Sequence, residues 1–100
     1  MKEMHVIVWE FKPREGVERD FEAVYGANGD WAKLFARSAR FLGTELLRGP
    51  DRTYFTIDRW ETPEAFAAFQ RQWRREYDEL DQRSEALTET ETLIGRFEKV

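Results

Sequence analysis

Residues 4–11, MHVIVWEF, place apolar side chains at nearly every position, and β-branched and aromatic residues dominate. The composition predicts a strand, and apolar residues in both alternating sets predict that both of its faces are covered. KPREG then turns the chain. Val17, Phe21, Val24 and Tyr25 recur at helical spacing and predict a helix of about three turns. GANGD breaks it, and Asp30 is placed to cap a second short helical segment, WAKLFARSA. FLGTELLR (41–48) and TYFTIDRW (53–60) read as two strands joined by GPDRT, hence a hairpin. Thr62 followed by Pro63 marks a helix start. Phe66, Phe69, Trp73, Tyr77 and Leu80 then carry one apolar stripe into the low eighties. SEALTETE reads as a polar connection, and TLIGRFEKV (92–100) as the last strand.

The predicted order is βαββαβ with the first helical stretch broken in two. That is the ferredoxin-like α+β arrangement, a four-stranded antiparallel sheet with its helices on one face. The opposite face is left bare, with Leu47, Phe55 and Ile57 among the residues expected on it. Water is a poor cover for such a face, so a second copy packed sheet to sheet is expected, giving a homodimer.

Composition narrows the partners. One hundred residues fit a single domain over 1–100. The net charge of −4 comes from 20 acidic and 16 basic residues that are interspersed, which argues against nucleic acid. RQWRRE (71–76) is locally basic, but acidic residues follow at once. No cysteine is present, so disulfides, thiol nucleophiles and thiolate metal sites are excluded. The first apolar run is too short for a membrane span or a signal core, and a cytoplasmic protein is expected. His5 has no second histidine and no glutamate at metal-binding spacing, so no metal site is expected. Aromatic residues make up 15% of the chain, four of them Trp. That is more ring than one small core requires, and part of it is expected at an interface or around a pocket.

The element order, the TIDRWET ending of the third strand, the PEAFAAF helix start and the LIGRFE last strand resemble the antibiotic biosynthesis monooxygenase-like family, small dimeric α/β-barrel proteins. The resemblance implies a homodimer with a cavity between sheet and helices in each subunit. One branch of that family oxidises polycyclic phenols to quinones with O2, using neither metal nor flavin, and another degrades haem. Trp60 matches the tryptophan that those branches carry at the end of strand three. The chain departs from them at two points. The long helix has no histidine to ligate haem iron. Its sole asparagine, Asn28, lies in a loop, whereas both branches place an asparagine in the cavity; the corresponding first-strand position holds Trp9.

Oxygenation without a cofactor requires an ionised, electron-rich substrate, and hence a base, a dry pocket and flat walls. Alternation puts Tyr54, Thr56, Asp58 and Trp60 on one strand face. Asp58 and Trp60 are therefore the candidate catalytic residues, with Asp58 as base. Trp9, Tyr54, Phe66, Phe69 and Trp73 are the candidate walls for a small aromatic substrate. A structural role fits the same residues: Asp58 paired to an arginine or capping backbone, and Trp60 packed in the core. Arg37 and Arg40 fit either an anionic substrate group or plain surface charge. Two functions follow, a cofactor-independent monooxygenase or a non-catalytic dimeric barrel that binds a hydrophobic small molecule.

Overall fold

A computed structural model describes residues 4–100; residues 1–3, which the single-domain reading includes, lie outside the described residues. Four strands form one antiparallel sheet in the order β2-β3-β1-β4: β1 His5–Pro13, β2 Phe41–Arg48, β3 Tyr54–Trp60 and β4 Thr88–Glu98. Helices α1 Glu18–Tyr25 and α2 Asp30–Phe35 follow β1, and α3 Pro63–Gln72 and α4 Arg74–Ser84 follow β3. The ferredoxin-like expectation holds.

Register decides what each face carries. Tyr54, Thr56, Asp58 and Trp60 are buried, while the intervening Phe55, Ile57 and Arg59 are only half-buried. Pairing with β1 sets His5, Ile7, Trp9 and Phe11 beside the buried set, and pairing with β2 adds Thr44 and Leu46. The helices cover this face. Val6, Val8, Leu47, Phe55, Ile57 and Phe97 share the other face, where Leu47 is 47% and Phe97 50% exposed. All three residues expected on the open side are there.

The hairpin turn is tight. Gly49 N–H donates to Thr53 O at 2.7 Å and Thr53 N–H to Pro50 O at 3.0 Å. Asp51 and Arg52 both adopt left-handed backbone, with φ of 57° and 60°, a conformation that side chains disfavour. The guanidinium of Arg52 is anchored to Pro13 O at 3.0 Å, Glu18 at 3.3 Å and Glu89 at 3.5 Å. Those three contacts tie the strained turn to β1, α1 and β4.

Several boundaries differ from expectation. Helix α1 spans 8 residues, short of three turns, because Val17 stands outside it at the N-cap. Asp30 is the first helical residue of α2, and Gly29 occupies the cap. A Cβ on Gly29 would lie 2.5 Å from Ala23 O and 2.7 Å from Val24 O, so only glycine allows the two helices to abut. The long helix is split at Trp73, whose φ of −113° and ψ of 33° leave the helical region. Hydrogen bonds still run through the joint, from Trp73 N–H to Phe69 O and from Tyr77 N–H to Trp73 O, both 2.9 Å. The bend swings α4 so that Tyr77 meets the Trp31 ring edge-on at 5.0 Å.

The second half of the stretch read as a polar connection is strand. Glu85–Leu87 form a single 3-10 turn, and β4 begins at Thr88, pairing Thr88 with Pro13, Thr90 with Lys12 and Glu91 with Phe11. It is polar because β4 is an edge strand that helices barely cover: among its residues only Thr88 is buried.

The start of α3 follows the sequence closely. Thr62 Oγ1 accepts from Ala65 N–H at 3.0 Å, and Pro63 takes the position where a missing N–H costs nothing. Thr62→Ala is expected to lower stability by about 1 kcal/mol, and Thr62→Ser to restore most of it. Urea midpoints at unchanged slope check this.

Candidate active site

A cavity of about 250 Å³ lies between the sheet and the helices. Ile7, Trp9 and Phe11 of β1, Thr56 and Asp58 of β3 and Thr44 of β2 form its floor. Tyr25, Trp31 and Phe35 cover it from the first helical pair, and Phe66 and Tyr77 from the second; Asp81 and Glu91 stand at its rim. The walls are fixed by ring packing, with Phe11 and Tyr25 centroids 4.6 Å apart and Trp31 and Phe35 5.6 Å apart. The Trp31 Nε1–H donates to Ser84 Oγ at 3.2 Å, and Ser84 Oγ in turn donates to Leu80 O at 2.7 Å. This chain orients one wall.

Asp58 is the chemical centre of the floor. It is 8% exposed, and Thr44 Oγ1, its cross-strand neighbour on β2, donates to Asp58 Oδ1 at 2.6 Å. Its partner is therefore a neutral hydroxyl rather than an arginine. Burial lifts the carboxyl from 3.8 to about 6, against the downward pull of the Thr44 hydrogen bond. Such a group exchanges a proton in the neutral range. Burial also raises the Tyr25 and Tyr77 phenols, so both remain protonated donors.

Of the residues singled out from sequence, Asp58, Trp9 and Phe66 line the cavity. Trp60 is fully buried behind the wall, its ring 5.1–5.4 Å from those of Phe41, Phe66, Phe69 and Phe35. Phe69 belongs to the same packed cluster. Tyr54 points toward α1, its ring tilted against that of Phe21 at 4.9 Å and its hydroxyl donating to Glu22. Trp73 sits at the helix joint beneath the Arg37 guanidinium, 4.7 Å from its ring centroid. Arg40 binds Glu61 at 3.2 Å and Thr62 at 3.3 Å. Asn28 is exposed in the loop between α1 and α2. His5 is buried at the strand end; burial first, then the Arg96 charge, lowers its pKa, while Glu64 opposes them.

Most of the remaining lining residues were accessible to the same reasoning. Thr56 shares the face of Asp58 by alternation, and Thr44 follows once the hairpin register is known. Tyr77 belongs to the long-helix stripe, and Asp81 lies one turn beyond it. Glu91 was hidden because its segment read as a connection. Among the described residues, no three His, Cys, Asp or Glu side chains are grouped to hold a metal ion, and no helix is long and apolar enough to cross a membrane.

No family model matches the chain, and no curated protein matches it. Solved structures do. A variant of SnoaB, a cofactor-independent oxygenase from Streptomyces nogalater, is 27% identical with a TM-score of 0.77, over 94% of this chain and 90% of that one. A candidate antibiotic biosynthesis monooxygenase from Bordetella bronchiseptica is 20% identical with a TM-score of 0.71, over 100% of this chain and 99% of that one. PA3566 from Pseudomonas aeruginosa shares the fold at 12% identity and a TM-score of 0.69, over 100% of this chain and 96% of that one. The chain thus has the fold of the antibiotic biosynthesis monooxygenases, and its resemblance to that group runs through nearly all of its length.

The raised pKa of Asp58 has a stability signature. Folding disfavours its ionised form, so its contribution is most favourable below pH 3.8 and is lost as pH rises through about 6. Asp58→Asn escapes that loss while keeping an oxygen for Thr44. The variant is expected to be more stable than wild type by roughly 2–3 kcal/mol at pH 8 and nearly equal at pH 4. Urea unfolding at the two pH values tests this, and an equal gain at both contradicts it.

Proposed function

We propose that this chain is a cofactor-independent monooxygenase acting on a small aromatic that carries an ionisable hydroxyl. The observation that carries the reading is a buried carboxylate, Asp58, on the floor of an aromatic-walled cavity. Similarity at 27% identity to a cofactor-independent oxygenase supports it. A volume of about 250 Å³ is at the small end for ligand sites and suits about two fused rings.

The chemistry follows from those parts. Asp58 takes the proton of the substrate hydroxyl, and the phenolate passes one electron to O2. The resulting radical pair combines at the ring carbon para to the oxygen, forming a C–O bond. The peroxide takes a proton back from Asp58. Loss of the para hydrogen as a proton then breaks the O–O bond, leaving a quinone and one water. The substrate gives four electrons and O2 accepts four. Trp9 and Phe66 hold the ring flat, and Trp60, Phe69, Tyr54 and Trp73 act behind them by fixing sheet and helices around the cavity. The alternative of a barrel that binds a hydrophobic molecule without reacting is favoured by one observation, the absence of asparagine from the cavity walls.

Oxygen uptake with a panel of naphthols and three-ring phenols separates the two. Asp58→Asn is expected to lower kcat/KM by ~10²–10⁴. Wild-type rate should rise with pH through about 6, as the carboxyl ionises. Trp60→Phe should cost less in rate than in thermal stability. Wild type and Asp58→Asn proving equally inert, while both still bind aromatics, would leave the binding reading.

The reading includes a homodimer joined through the uncovered face bearing Val6, Val8, Leu47, Phe55, Ile57 and Phe97. Light scattering should give twice the 12.0 kDa chain mass, and Ile57→Asp should drive the protein toward monomer. A wild-type mass of one chain defeats this.

A further inference from the structure

The cavity is not neutral along its length. Asp58 lies at its depth, and its Oδ2 has no hydrogen-bond partner among the described residues. Asp81 of α4 and Glu91 of β4 stand at the exposed rim. Tyr77 lines the same cavity; burial raises its hydroxyl pKa, the charges of Asp81 and Asp58 add to that, and Arg96 opposes them. Glu91 and Asp81 act together on the Tyr25 hydroxyl, and the charge of Asp81 adds to burial in holding the Glu91 carboxyl in its protonated form to higher pH. No Lys, Arg or His lines the cavity among the described residues. The nearby cation is Arg96, and its guanidinium lies over the Phe66 ring, 5.4 Å from the centroid, rather than in the wall.

A cavity with a carboxylate at each end and rings between them recognises a flat molecule by what its two ends donate. Anionic groups are repelled at both ends, and an apolar group displaces water from the rim carboxylates without replacing its hydrogen bonds. Accepting the oxygenase reading of Asp58, we infer that the substrate is a two-ended donor: an aromatic with a hydroxyl directed at Asp58 and a second hydroxyl or an ammonium group directed at the Asp81–Glu91 rim. Aromatic carboxylates, sulfonates and phosphates are excluded. The rim pair acts as a selector and takes no part in the proton transfer.

The test is a binding series on one ring system: 1-naphthol and its 5-hydroxy, 5-aminomethyl and 5-carboxylate derivatives, titrated at pH 7.5 by quenching of the tryptophan emission. The hydroxy and aminomethyl compounds are expected to bind about tenfold more tightly than 1-naphthol, and the carboxylate about tenfold more weakly. In the Asp81→Asn/Glu91→Gln double variant the four affinities should converge to within about threefold. Both positions are exposed, and near-UV circular dichroism verifies the fold; Glu91→Gln alone should give an intermediate spread. A carboxylate that binds as well as the diol, or a ranking that survives the double variant, overturns the inference. Oxygen uptake is read separately. The ranking without Asp58-dependent uptake removes the oxygenase reading and leaves the donor preference standing. Asp58-dependent uptake that favours the carboxylate does the reverse.

Discussion

A carboxyl group placed on the covered side of a sheet has few ways to exist there. It must hold a proton, find a charge partner, or accept hydrogen bonds from its surroundings, because desolvating a bare carboxylate costs several kcal/mol. Asp58 receives one hydroxyl hydrogen bond, at 2.6 Å, and no cation. That partial compensation leaves the group between its two charge states near neutrality. The surroundings tolerate it with a threonine at the facing position of β2, aromatic walls with no Lys, Arg or His among the described lining residues, and two helical pairs that close the volume from above.

The walls and the rings packed behind them form one connected set. Phe21, Tyr25 and Phe11 form the end near α1, Trp31 and Phe35 the centre, and Trp60, Phe66 and Phe69 the end near α3. Tilted and edge-on contacts at 4.6–6.5 Å fill space while keeping fixed orientation. The bend at Trp73 belongs to this scheme. A straight helix would carry one stripe along one line, whereas the joint lets Phe66 serve one end of the cavity and Tyr77 another.

Strand identity and chain order were legible from composition and turn residues, and alternation in TYFTIDRW grouped Tyr54, Thr56, Asp58 and Trp60 on one face. Alternation alone did not say which face the helices would cover. It was silent on depth: Trp60 and Tyr54 share the face of Asp58, but the first is sealed under α3 and the second under α1, so neither reaches the open volume. Helical spacing had the same limit, since Phe69 and Phe66 lie on one stripe and only Phe66 meets the cavity. The bend at Trp73 left no mark in composition, lacking proline or glycine. β4 was misjudged at its start because Thr88–Glu91 is strand by pairing with β1 rather than by any apolar pattern of its own.

That polar opening of β4 bears on how the protein behaves in a crowded solution. An edge strand offers unsatisfied backbone groups to any extended chain that drifts past, and an 11-residue edge is a long invitation. Alternating Thr and Glu make the first half of this one a poor template: an incoming strand meets carboxylates from Glu89 and Glu91 on successive pleats. Charged residues along an edge disfavour strand addition, so the acidic residues of TETE make this border a poor seed for fibrillar stacking.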